Sequence, residues 1–179
     1  MTNEAKHKIT FTLAEIRKHK PCPIRWRKLY TSLGGIKSYG KHTPITAKQL
    51  IDSIGIPDAL GCLRTLDRKY DNLWRHLACD YAEHVKYTIT DELSLNALAV
   101  ARNHADGKAS DEELRAAYST TRNNAVYVAM DAVVYAAYNA VRYAADDAAS
   151  AVDDAAYDAE KNYQAELLIK YCETGKRVQ

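Results

Sequence analysis

His76, Asp80 and His84 recur at every fourth position, with Cys79 beside them. Imidazole nitrogens and carboxylate oxygens are metal ligands, and two His four apart can share one ion. On a helix the three would spread along about 12 Å of axis, too far to converge. A pair would need a distant ligand, and the chain has no second pair of a recognised zinc spacing. The face therefore reads as a mixed helix surface with His on it. Cys79 could serve as a nucleophile with His76 or His84 as base, but that chemistry needs a placed base and an oxyanion site. A buried Cys acting as a small apolar side chain is commoner, and the same reading covers Cys62 and Cys172.

The stretch that best suits a partner is Arg17-Lys18-His19-Lys20 followed by Arg25-Trp26-Arg27-Lys28. Basic side chains can neutralise phosphates or meet an acidic protein. Trp26 could stack on a base, hold a cation over its ring, or pack inside the fold. The candidate partner-binding residues are Lys18, Lys20, Arg25, Trp26, Arg27, Lys28, Lys37 and Lys41. No helix-turn-helix, zinc-finger or RNA-recognition signature accompanies them. Nor is there a P-loop, a dinucleotide fingerprint, a GxSxG or an HExxH. No catalytic, cofactor-binding or metal-binding residue is assigned. The acids Asp146, Asp147, Asp153, Asp154 and Asp158 read as a solvated helix face, because a calcium loop needs a Gly turn.

Charge is split along the chain. Residues 1–48 carry eleven Lys and Arg against Glu4 and Glu15, a balance of +9, and the remainder carries −7. Such a division suits an acidic partner or attraction between the two parts of the chain itself. The four Cys are scattered, without CxxC spacing. The opening residues lack the apolar core of a signal peptide, and no apolar run is long enough to span a bilayer. The expectation is a cytoplasmic protein with reduced thiols and no membrane contact.

The elements that must carry these residues are helical. No alternation of apolar and polar residues persists, so the fold class is all-α. Residues 1–9 read as frayed. Thr12 and Glu15 form a capping box for a short helix to about Lys20, which Pro21 and Pro23 stop. Ile24, Leu29 and Leu33 are the expected buried side of the next helix, and Gly34-Gly35 ends it. A basic loop over 36–45 follows. Thr46 caps a helix over 47–54, Pro57 opens another, and Asp71 or Asn72 starts a stronger one with Leu73, Leu77 and Tyr81 in its stripe. A helix from Thr90 carries Leu93, Leu95, Leu98 and Val100 and ends at Gly107.

Ser110 and Glu113 form a second capping box, which opens an Ala-, Tyr- and Asp-rich run without Gly or Pro as far as Tyr171. An unbroken helix over 111–173 would be roughly 95 Å long, so breaks are expected near Ser119-Thr120-Thr121, Asn123-Asn124 and Ser150. Leu167, Leu168, Ile169 and Tyr171 are expected to dock on the head. The organisation is a basic helical head, 1–107, packed with a long Ala/Tyr-rich helical hairpin or arm, 108–179. The Ala/Val face of that arm also leaves room for a homodimer.

Four blocks in order carry a resemblance. They are Leu13-Ala14-Glu15-Ile16 leading to Cys22 and Leu33-Gly34-Gly35; Ile54-Gly55-Ile56-Pro57-Asp58-Ala59-Leu60 with Cys62-Leu63-Arg64; Leu77-Ala78-Cys79-Asp80-Tyr81-Ala82; and Ala109-Ser110-Asp111-Glu112-Glu113-Leu114. Together they resemble a loosely defined group of small phage and prophage accessory proteins with an Ala-rich helical tail, some described as immunity-type. The resemblance implies a helical fold and a phage context, hence host-cell cytoplasm, and transfers no catalytic residues. The tail here is richer in Tyr and Asp than the Ala/Arg/Glu tail of that group.

The expected function is a non-enzymatic accessory protein that binds a host protein and modulates or inhibits it by occlusion. An anti-defence, anti-CRISPR-like inhibitor is one concrete form. The alternative is a nucleic-acid-binding module using the basic N-terminal segment.

Overall fold

The computed structural model describes residues 8–90, 92–120 and 154–178, and every regular element among them is helical. In chain order these are α1 (Leu13–Lys18), α2 (Pro23–Ser32), α3 (Ile36–Tyr39), α4 (Ala47–Ile54), α5 (Ile56–Gly61), α6 (Asp71–His84), α7 (Glu92–Ala105), α8 (Asp111–Thr120) and α9 (Asp154–Thr174), with three short 3-10 turns between α5 and α7. The chain is all-α, as its periodicity implies.

The boundaries follow local chemistry. Thr12 accepts from the Glu15 backbone at the start of α1. Thr46 and Gln49 complete a capping box on α4, worth about 1 kcal/mol. Ser110 and Glu113 do the same for α8. Gly55 ends α4 at φ 82°, a left-handed conformation, and lets the chain turn straight into α5. The stronger helix α6 begins at Asp71 after a 3-10 turn, with Tyr70 rather than Asp71 or Asn72 at the cap.

Two apolar clusters share α6. Its Trp74, Leu77, Ala78 and Tyr81 face the larger one, built with α1, α2, α4, α5 and the C-terminal half of α9. Its Cys79 and Ala82 face a smaller one, with Ala97, Leu98 and Ala101 of α7 and Leu114 and Ala117 of α8. The second cluster thus spans the expected head–arm boundary at 107/108. Leu167, Leu168 and Tyr171 of α9 are buried in the larger cluster, with Ile169 packed against it, so this part of the arm docks on the head through apolar contacts.

Several local expectations are corrected. Ile9 is buried, not frayed, and its N–H donates to the Cys172 carbonyl at 2.6 Å. Phe11 pairs with Ile45 in one antiparallel bridge, so Ile45 belongs to the core and not to a basic loop. Residues 36–39 are a helical turn. In α2, Ile24 is 80% exposed and Trp26 takes its place beside Leu29, because 26, 29 and 33 share one face. In α7 the buried stripe is Ser94, Ala97, Leu98, Ala101 and Ala105, and Leu93 and Leu95 face out. Small side chains on that stripe allow close approach to α6 and α8. The expected breaks at Asn123-Asn124 and Ser150, and the acids Asp146, Asp147 and Asp153, lie outside the described residues.

Candidate functional site

The basic stretch folds around a tight reversal. After α1, Lys20 takes φ 49°, uncommon for a residue with a Cβ, and turns the chain into Pro21. Cys22 then occupies the cap position of α2, and Pro23 is its first residue, where the missing N–H costs nothing. The backbone N–H groups of Arg25 and Ile24 lie against the Cys22 sulfur and hold its pKa below the usual thiol range.

A cleft of about 140 Å³ opens between α1, α2, α4, α5 and the turn after α5. Ile16, Trp26, Leu29, Ile54 and Pro57 supply its apolar lining. Cys22, Arg25, Asp58, Arg64 and Thr65 supply its polar groups. Arg25 Nη1 reaches Asp58 Oδ1 at 2.8 Å, and Arg64 Nη2 donates to the His19 carbonyl at 3.2 Å. Gly61 also lines the cleft. A Cβ there would meet no atom within 4 Å, so the glycine leaves open space.

Trp26 is 9% exposed and packs edge-on against Tyr30, with the Arg17 guanidinium 5.3 Å from its ring centroid. It is therefore a wall of the fold, not an open stacking platform. Lys18, Lys20, Arg27, Lys28, Lys37 and Lys41 are exposed. Among the described residues none of these six forms an ion pair, and Lys8, ahead of the basic stretch, reaches Glu173 of α9 at 3.8 Å.

The helix-face residues of α6 lead elsewhere. Arg102 of α7 reaches Glu83 with Nε at 2.8 Å and Nη2 at 2.7 Å, and Nη2 also meets Asp80. Its Nη1 donates to His76 Nδ1 at 3.2 Å, so that nitrogen accepts and the neutral ring carries its proton on Nε2. Arg177 of the C-terminal tail lies 3.6 Å from both Asp80 and Asp106. Burial opposes the Arg102 charge, but the hydrogen bond to Glu83 and the field of Asp80 outweigh it and raise its pKa. Burial, then Arg102 and Arg177, push the His76 pKa down. His84 instead pairs with Glu160 of α9 at 2.6 Å and stacks on Tyr163.

His76 is thus enclosed in a charged network between helices, which corrects its reading as a surface residue. The reason is Arg102, whose place beside α6 no local pattern announces. Among the described residues no group of three or more His, Cys, Asp or Glu is placed to hold a metal ion. Cys79 is buried and its thiol is pushed up to about 12 by desolvation, as are Cys62 and Cys172. Such thiols are poor nucleophiles. No helix among the described residues is long and apolar enough to cross a membrane. Comparison with protein-family models, curated proteins and solved structures finds no match to this chain.

Proposed function

We propose that this is a non-enzymatic binding protein whose N-terminal head engages an acidic surface of a protein partner and modulates that partner by covering the surface. The observation that carries the reading is the set of six exposed cations, Lys18, Lys20, Arg27, Lys28, Lys37 and Lys41, without ion-pair partners among the described residues. The described part of the arm docks on the head through apolar packing around Leu168 and Tyr171, in which none of the six cations takes part. The inert buried thiols favour a binding role over catalysis by Cys79. Taken with the phage resemblance, a host protein is the partner class, and inhibition of a defence effector is one form of it. Nucleic-acid binding is the second reading, favoured by the same cations, but the covered ring of Trp26 removes its stacking platform.

The test is affinity purification from host cells with tagged protein, with and without nuclease. A host protein retained after nuclease, and lost with Arg27→Glu/Lys28→Glu, is the expected result. No stoichiometric protein partner at any salt concentration would overturn it, and recovery dominated by nuclease-sensitive DNA or RNA would favour the second reading.

A further inference from the structure

We infer that the cleft between α1, α2, α4 and α5 is an anchor pocket for one bulky apolar side chain carried on an acidic segment of the protein partner. The inference rests on the binding function proposed above and specifies what the head recognises.

Size selects the occupant. A cavity of about 150 Å³ accepts one benzene-sized group. Small-molecule and cofactor sites run to roughly 300–1,000 Å³. At about 140 Å³ the cleft suits a single Leu- or Phe-sized side chain. Its walls, Ile16, Trp26, Leu29 and Ile54, offer that side chain apolar contact. Gly61 leaves its share of the wall open although its own backbone is helical, at φ −60°, and would accept a larger residue.

Charge selects the context of that side chain. Arg25 and Arg64 line the cleft, and Lys18 and Lys20 precede the Pro21-Cys22 rim in the chain. The Arg25 side chain is 60% exposed, and its contact with Asp58 uses one of its five N–H donors. A partner carboxylate can take those that remain. Ile24, exposed two residues beyond Cys22, adds apolar surface outside the pocket. An apolar anchor set inside a polar rim is the usual anatomy of a protein–protein interface. A nucleic acid fits less well, because Arg17 lies over the Trp26 ring and the Asp58 carboxylate sits among the lining groups.

The experiment measures fluorescence anisotropy of the full chain with short labelled peptides of Asp, Glu and Ser that carry one central Leu, Phe or Ser. Burying the anchor should make the Leu and Phe peptides bind about tenfold or more tighter than the Ser peptide. Gly61→Leu, which fills the pocket, should erase that difference and leave the weaker, salt-sensitive binding of the Ser peptide. Cys22→Trp at the exposed rim provides a second block, and circular dichroism checks that both variants fold. Equal binding of all three peptides, or a preference that survives both folded variants, overturns the pocket and leaves the acidic-partner reading standing. If neither these peptides nor poly-glutamate bind even at low salt, both readings fail. Single-stranded RNA bound more tightly than any peptide also overturns both.

Discussion

The Tyr171 hydroxyl, near the end of α9, donates to the Asp80 carboxylate on α6 across 91 residues of sequence. Asp80 also receives Arg102 from α7 and faces Arg177 from the tail, so one carboxylate ties three segments of the chain together. Removing one neutral donor differs from removing the hub. Tyr171→Phe should cost about 1.5–3 kcal/mol, the net worth of a hydrogen bond to a charged group, with the ring still packed. Asp80→Ala should cost about 3–5 kcal/mol, because Arg102 stays buried with part of its compensation gone. Urea unfolding of the two variants checks the order, and equal losses would refute Asp80 as the hub.

The same network makes stability depend on pH. His76 has a folded pKa below its ordinary value of 6.5, so the unfolded chain binds the proton more readily. Stability is then fully present above about pH 6.5 and is lost as pH falls through the folded pKa. Asp106, held low by Lys108, and Asp111, held low by His104, act in the same direction below their ordinary 3.8. The groups facing His76 are Arg102, Arg177, Asp106 and Asp80. The urea midpoint should therefore fall between pH 7 and pH 5.5, and His76→Gln should flatten that part of the curve. An unchanged slope in the variant would assign the dependence to other groups.

Cys22 should be the reactive thiol of the folded protein. It is exposed and its thiolate is favoured by backbone N–H groups, whereas Cys62, Cys79 and Cys172 are buried with thiols pushed up to about 12. Limiting iodoacetamide at neutral pH should add one label, absent in Cys22→Ser, and denaturant should release three more. Two or more labels on the folded chain would contradict the described burial.

Docking of the arm should dominate over surface apolar residues. Leu168 is fully buried, so Leu168→Ala should cost about 2–5 kcal/mol through lost contact and a residual cavity. Ile24→Ser, at an exposed site, should change stability by no more than about 0.5 kcal/mol. Thermal unfolding of the two variants separates core from surface. A large loss in Ile24→Ser would mean that Ile24 is covered in solution.

Features that depend on a few neighbouring residues are legible along the chain. Thr12, Thr46 and Ser110 start helices because a side-chain oxygen three residues upstream meets an orphan N–H. Gly55 and Pro23 turn or open helices through their own backbone limits. The stripe Leu77–Tyr81 and the docking patch around Leu168 are legible because a 3.6-residue period selects one face. The basic segment is legible too, as charge density along the chain. The remaining features arise from packing between distant segments. That packing buried Trp26 in place of Ile24, drew Ile9 and Phe11 into the core, and enclosed His76 beside Arg102. It also brought Ile16, Trp26, Ile54 and Gly61 around one cleft. These outcomes depend on which helix faces meet across tens of residues, and side-chain burial and pairing are set there by the packed neighbour and not by the local chain.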